Sequence, residues 1–421
     1  MKTPSVTERI LRARAVREPA TGSCYVSVRP DLVLGHEATI ALLIDRLHAT
    51  GRDVFDPDRC FFAADHFVPP ATVERADILR KYLSFIEQQG IPDDLLYRGI
   101  SHQLLVEDSR CRPGALIVGA DSHTTMGGAL SCFSAGFGST DILAVLATGH
   151  VFVRIPEAVK VTFVGERPPG LSGKDVALEM MRRFGESGAR YQALEFIDRS
   201  SGLTMADRMT VTNMAVDCGA KNGLFLMDSV TEDYVQKRDG EVDPALEQWS
   251  KPGSPDAYVQ ELEIDIAALT PLVARPGSPA DVVPANKARS EAVHQVFVGS
   301  CCGGRLSDLR EAADVLRGQS VRRGVRMIVT PASQRVYQEA LKEGVIADLV
   351  DAGVMVTASA CGACGGIDKG ILGGGEVCVS TSNRNFRGRM GSVDARIWLA
   401  SARTAAACAL TGEITDPRTL L

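Results

Sequence analysis

Three cysteines have the type and spacing for metal chemistry. Cys361 and Cys364 form a Cys-x-x-Cys pair inside Ser-Ala-Cys-Gly-Ala-Cys-Gly-Gly, and Cys301 stands earlier, in Phe-Val-Gly-Ser-Cys. Three thiolates can hold an iron–sulfur cube by three corners and leave one iron open. An open iron is a Lewis acid, which points to chemistry rather than electron transfer. Other readings stand beside this one. A zinc site wants four ligands, and Cys302 would supply the fourth only by reaching the same metal as its neighbour. A redox dithiol fits Cys361 and Cys364 but has no use for Cys301.

The histidines are the second signal. His66 follows Asp65, His102 lies in Gly-Ile-Ser-His-Gln, and His123 lies in Gly-Ala-Asp-Ser-His-Thr-Thr. A carboxylate beside an imidazole orients the ring near a substrate or metal. Any one of them read alone is equally a capped or core histidine, and His48, His150 and His294 read as structural. The third signal is Ser-Thr-Ser-Asn-Arg-Asn-Phe-Arg-Gly-Arg, which places Arg384, Arg387 and Arg389 close after the cysteine pair. Guanidinium forks grip carboxylates through two hydrogen bonds; the plain alternative is a solvated loop. Asn213 and Asp217 are four apart in a helical stretch and face one way.

These residues need elements to hold them. Apolar runs at 59–64 and 115–119 end in Asp65-His66 and Asp121-Ser122-His123, and read as strands. A helix opens at Ser139 and runs towards His150, and 159–164 alternates as a strand. Ser172 with Asp175 is a capping-box-like start for a helix through Phe184. Residues 271–284, rich in Pro, Ala and Val, read as a linker. A βαβαβ rhythm follows: strand 295–299, a helix capped by Ser307, strand 325–330, a helix started by Ser333, and strand 354–359. Short connections imply a parallel sheet with right-handed crossovers. Cys301 then lies past the carboxyl end of the first of these strands, and Cys361 and Cys364 past the end of the third. Open α/β sheets bind ligands at that edge.

The 421 residues exceed one core and suggest two or three domains. Apolar content of 45% and charge of 23% are those of an ordinary globular chain. The net charge of −6 and the lack of basic runs argue against nucleic-acid binding. No apolar run approaches the roughly 18 residues of a membrane span, and residues 1–17 carry no signal-peptide pattern. Eleven cysteines spread over such a chain suggest a reducing, cytoplasmic setting. Cys132, Cys218 and Cys408 read as core fillers.

Together these motifs resemble the aconitase superfamily, and within it the large subunits of two-subunit hydro-lyases of the isopropylmalate-dehydratase and homoaconitase kind. The likeness runs from about Leu32 to Gly391. It rests on Asp-His-Phe-Val-Pro, Gly-Ala-Asp-Ser-His-Thr-Thr, Leu-Ala-Thr-Gly, Gly-Ser-Cys, Cys-x-x-Cys and Ser-Asn-Arg-Asn-Phe-x-Gly-Arg, in that order. The resemblance implies an α/β fold of three aconitase-like domains with parallel sheets around a central cluster, without a swivelling fourth domain. The expected divisions are 1–157, 158–270, the linker 271–284, and 285–421.

The resemblance also implies one [4Fe-4S] cluster per chain, on Cys301, Cys361 and Cys364. His66, His102 and His123, backed by Asp65 and Asp121, would surround cluster and substrate. Asn213 and Asn383 would contact the cluster region, with the acid Asp217 nearby. Arg384 and Arg389 would bind substrate carboxylates, with Ser122 and His36 (in Leu-Gly-His-Glu-Ala-Thr) as further substrate contacts. The implied activity is a hydro-lyase acting on a 2-substituted malate, first of all isopropylmalate in leucine biosynthesis. Homoaconitate, dimethylmalate, citramalate and maleate-type acids are the alternatives. A separate small subunit would carry the swivelling domain and supply a serine base. An apo-form RNA-binding iron sensor and a zinc-stabilised binding protein are the readings from other classes.

Three stretches depart from the usual pattern. Relatives usually read Gly-Ser-Cys-Thr-Asn at the first cysteine, whereas this chain reads Gly-Ser-Cys301-Cys302-Gly303-Gly304. Ala360 replaces the usual Gly before Cys361, and Asp217 stands where Glu is usual. On the sequence, Cys302 is a competitor for the ligand role of Cys301.

Overall fold

Short buried strands, each followed by a helix or turn, build three mostly parallel sheets in the computed structural model, which describes residues 3–17, 23–200 and 202–420. The first sheet holds β1 (Leu32–His36), β2 (Cys60–Ala63), β3 (Leu116–Gly119) and β4 (Phe133–Gly136), in the order β2-β1-β3-β4. All of its pairings are parallel. The second holds β5 (Ala158–Val164), β6 (Ala193–Asp198), β7 (Asn222–Phe225) and β8 (Tyr258–Asp265), in the parallel order β8-β5-β6-β7. Strands of the first sheet are apolar on both faces because helices and the neighbouring sheets cover both. A separate antiparallel ribbon pairs Tyr25–Val28 with Val151–Arg154.

The third sheet has seven strands: β9 (Leu272–Ala274), β10 (Val282–Pro284), β11 (Gln295–Val298), β12 (Arg326–Val329), β13 (Met355–Val356), β14 (Val377–Ser380) and β15 (Arg396–Ala400). Their order is β10-β9-β15-β14-β11-β12-β13. The expected βαβαβ unit is β11 to β13, and its pairings are parallel. The third strand is only Met355–Val356, shorter than the expected 354–359, because the chain leaves the sheet edge early for the cysteine turn. Residues 271–284 are a correction to the linker reading. They form β9 and β10, antiparallel to each other, with β9 also antiparallel to β15. Val and Ala there pair at the sheet's edge rather than span a gap.

Six helices matter for placement: α1 (Ser101–Glu107), α2 (Ser139–Thr148), α3 (Gly173–Phe184), α4 (Met205–Asn213), α5 (Leu306–Leu316) and α6 (Gln334–Lys342). The Ser172–Asp175 capping box forms as read, and a second one, Thr204 with Asp207, opens α4. Ser333 caps α6. Ser307 does not cap α5; Arg305 occupies that position, and its backbone N–H donates to Asp308 Oδ2 at 2.9 Å.

Contacts between sheets bring their edges together. The Ile100 N–H donates to the Ala332 carbonyl at 2.9 Å, and Ser333 Oγ donates to Glu107 Oε1 at 2.8 Å, docking α1 against the start of α6. Arg208 of α4 is fully buried and pairs with Asp198 at 2.8 Å and Asp228 at 2.6 Å. A charge that deep survives only with such partners, and the pairs anchor the helix that ends in Asn213. One apolar core joins the first sheet to Met205, Met209, Cys301 and Ala332. Another joins the second sheet to Phe297, Cys364 and Cys378. Among the described residues no helix is long and apolar enough to cross a membrane.

Candidate active site

The carboxyl ends of β1, β2 and β3 meet those of β11 and β14. His36 closes β1, Asp65 and His66 follow β2, and Asp121 and His123 follow β3. Cys301 follows β11, and Asn383 and Arg384 follow β14, the neighbour of β11 in the sheet. The turn with Cys361 and Cys364 reaches the same place, where the Cys361 N–H donates to the Asp65 carbonyl at 2.8 Å.

Two of the thiols, Cys301 and Cys364, converge on Ser300 and Asn383. Ser300 Oγ lies 3.7 Å from Cys301 Sγ, and Cys364 Sγ donates to Ser300 Oγ at 3.5 Å. Asn383 Nδ2 donates to Cys301 Sγ at 3.6 Å and to Asn213 Oδ1 at 3.0 Å. Asn213 Nδ2 donates to Cys301 Sγ at 3.1 Å. Ser300 holds φ at +74°, a strained setting for a residue with a side chain. The hydrogen bond from Cys361 holds the Cys364 thiol well below its ordinary value, and the charge of Arg389 adds to this. Cys361 moves up in return, raised by Cys364 beside it and by burial. Burial pushes Cys301 up, yet His102 and His123 bring it below its ordinary value.

Asp121 organises the imidazoles. Its carboxylate accepts from the His123 N–H at 2.8 Å, capping the tight turn after β3. The same carboxylate lies 3.1 Å from His102 Nε2, 3.6 Å from His36 Nε2 and 3.6 Å from His123 Nδ1. Burial opposes its charge, but the three rings hold it well below the usual carboxylate range. His102 moves well up against its own burial, drawn by the Asp121 charge. His123 Nε2 lies 3.4 Å from Asp217 Oδ2, and despite burial this carboxylate and Asp121 raise its pKa to about 9. Asp217 Oδ1 accepts from Arg384 Nε at 2.7 Å. Ser122 Oγ sits 3.4 Å from His123 Nδ1.

His66 Nδ1 meets Asp65 Oδ1 at 2.6 Å, and Asp65 Oδ2 accepts from the Ser101 N–H at 2.7 Å. The pairing raises His66 to about 9 against its burial. His66 stacks on His36 at 3.9 Å. Glu37, which no sequence motif marks as functional, has a role here. Its carboxylate accepts from the N–H groups of Asp65 (3.1 Å), His66 (2.7 Å) and Phe67. His36, Glu37, Asp65 and His66 offer ligand atoms within 4.8 Å of one another, but the amide bonds to Glu37 make this a brace for the Asp65-His66 turn rather than a second metal site. Ser300 and Lys174 were also missed, since nothing in their local pattern distinguishes them.

All the residues singled out as a site lie in this one region except Arg387, which faces solvent and bonds the Val393 carbonyl and Asp394. Arg389 Nε is buried with no hydrogen-bond partner among the described residues, and so is His36 Nδ1. Cys302 turns away: its Sγ donates to the Thr381 carbonyl at 3.1 Å and accepts from Lys174 Nζ at 3.4 Å. The two glycines after it have a steric reason. A Cβ on Gly303 would sit 2.4 Å from the Thr381 side chain, and one on Gly304 2.7 Å from the Thr330 carbonyl.

Parallel α/β sheets meet edge to edge, with thiols, imidazoles, carboxylates and guanidiniums at the seam. The chain belongs to the aconitase family: the family profile, described as aconitate hydratase, matches residues 8–293 and 284–412. It is 43% identical over 421 residues to the 3-isopropylmalate dehydratase large subunit 1 of Methanopyrus kandleri, covering 99% of each chain. It is 42% identical to the 3-isopropylmalate dehydratase large subunit of Nautilia profundicola, again over 99% of each. Among solved structures it is similar to holo aconitase X of Thermococcus kodakaraensis, with TM-score 0.51, 10% identity and 88% of each chain covered. At that identity the likeness is one of fold.

Proposed function

We propose that this chain is the large catalytic subunit of a [4Fe-4S]-dependent hydro-lyase that isomerises 2-substituted malates, with 2- and 3-isopropylmalate in leucine biosynthesis as the leading pair. The observation that carries the reading is the convergence of Cys301 and Cys364 on Ser300 and Asn383, with Cys361 in the same turn as Cys364 and tied by its N–H to the Asp65 carbonyl. The printed names of the full-length relatives support the substrate, and the words "large subunit" in them support a separate small subunit. The setting is cytoplasmic.

The donor set fits this cluster. Cys301 and Cys364 share Ser300, Cys361 stands in the same turn as Cys364, and the fourth nearby sulfur, Cys302, is engaged elsewhere, which leaves a three-thiol set that zinc does not favour. The unpartnered Arg389 Nε suits an anionic guest. Cys301, Cys361 and Cys364 would hold the cluster, with the Asn213 and Asn383 amides donating to Cys301 Sγ. When bound, the cluster supplies an open, Lewis-acidic iron that polarises the substrate's C–O bond.

The remaining work falls to the chain's own side chains. Arg384 and Arg389 clamp the substrate carboxylates, with Arg384 already oriented by Asp217. Asp65 holds His66 by Nδ1 and turns Nε2 to the substrate. His102 and His123, kept protonated by Asp121 and Asp217, hold a proton for the departing hydroxyl. Ser122 and His36 shape the substrate's rim. The base for the carbon-bound proton belongs to the small subunit with its swivelling domain. A second reading, a paralogue acting on homoaconitate, dimethylmalate, citramalate or a maleate-type acid, is favoured by one observation: Asp217, in the place where Glu is usual, sits directly behind Arg384.

The test is anaerobic reconstitution with iron and sulfide, then assay with the small subunit against a panel of 2-alkylmalates. About four irons per chain and highest activity on isopropylmalate are expected. Stoichiometric zinc without iron would refute the cluster, and preference for another acid would select the second reading.

A further inference from the structure

Lys174 lies in the first turn of α3 and is 4% exposed. Its ammonium donates to the Ser382 carbonyl at 2.6 Å and the Thr381 carbonyl at 3.0 Å. It also reaches Cys302 Sγ at 3.4 Å and Met214 Sδ at 3.5 Å. The four partners are two carbonyls and two sulfurs, with no carboxylate among them. A buried cation without a paired carboxylate is unfavourable unless other anionic groups balance it. The partners adjoin the site: Cys302 follows Cys301, Met214 follows Asn213, and Ser382 precedes Asn383 and Arg384. A second cation holds the other side of the same loop. Arg305 donates to the Cys301 carbonyl at 2.6 Å and also to Thr210 Oγ1, which in turn donates to the Cys302 carbonyl at 3.2 Å.

We infer that Lys174 is a positioning residue of this site. Its ammonium ties the Cys301 loop to the segments carrying Asn213 and Asn383–Arg384, and Cys302 is the sulfur end of that tie rather than a metal ligand. The part concerning the metal rests on the cluster reading above; the tie itself does not. Cys302 already donates to one carbonyl and accepts from Lys174, so both hydrogen-bonding roles of its sulfur are spent.

Two measurements on the full chain test this. In the metal-free protein, hydrogen–deuterium exchange over 299–304 and 380–385 should rise at least about tenfold in Lys174→Met, the scale of one charge-assisted hydrogen bond lost, while the sheet at 116–136 stays unchanged. Equal exchange, or a rise spread evenly over the chain, overturns the tie. After anaerobic reconstitution, Cys302→Ser should retain wild-type iron, Cys301→Ser should lose it, and Lys174→Met should release iron to a chelator about tenfold faster. Iron loss in Cys302→Ser matching that of Cys301→Ser makes Cys302 a ligand and overturns the inference, as does release from Lys174→Met at the wild-type rate. Should Lys174→Met not fold, Lys174→Gln takes its place with the same expected and overturning results. A wild-type chain that takes up no iron refutes the proposed cofactor, and the exchange measurement still judges the tie.

Discussion

Each thiol in the candidate site has a different neighbour, and that difference sets its part. Cys361 beside it and the charge of Arg389 hold the Cys364 thiol well below its ordinary value. Replacing it by Ser removes a soft ligand and the charge that Arg389 faces. Cys364→Ser is expected to abolish the visible absorbance of the reconstituted cluster; a normal spectrum would remove it from the ligand set. Arg389 offers a rigid fork whose Nε has no partner among the described residues. Arg389→Lys keeps the charge and loses the fork, so KM for the malate should rise about tenfold with a smaller change in kcat. An unchanged KM would take Arg389 out of the substrate site.

At the scale of elements, the site depends on how helices and strands are started. Asp175 closes the capping box of α3 and accepts from the Leu272 N–H at 2.8 Å, joining the helix that carries Lys174 to β9. Burial outweighs these hydrogen bonds and raises its pKa from 3.8 to about 6. The neutral form is therefore favoured by folding, and its stabilising contribution is full below pH 3.8 and lost as pH rises through about 6. The unfolding free energy of Asp175→Asn, measured against wild type, should gain on it across that window by up to about 3 kcal/mol. A difference that stays flat between those values would show that the hydrogen bonds, not burial, govern this group. The capping box was legible from Ser172 and Asp175 alone, because caps are local. The strands at 271–284 were not, because an edge strand of Val and Ala carries no periodicity and exists only by pairing with β15.

For the whole molecule, the leading expectation concerns assembly. The chain alone should show no turnover, and activity should appear on mixing with the small subunit, together with a shift in size-exclusion elution. Turnover by the isolated chain would show that it carries its own base. Much of the site was readable beforehand. Strand ends marked by Asp-His, Asp-Ser-His, Gly-Ser-Cys and Cys-x-x-Cys are sequence-local, and parallel sheets present such ends on one edge. What the sequence by itself determined was therefore which residue types arrive at that edge and the parallel order of β11 to β13. Only the tertiary structure decided which of them touch. One carboxylate, Asp121, serves three rings, Glu37 braces the turn of Asp65 and His66, and Cys302 turns from the site to Lys174. Those contacts join residues up to 128 positions apart. The contacts of Asp121 and Glu37 depend on which strands lie side by side in the first sheet, and that of Cys302 with Lys174 on the docking of one sheet unit on another; no local spacing encodes either.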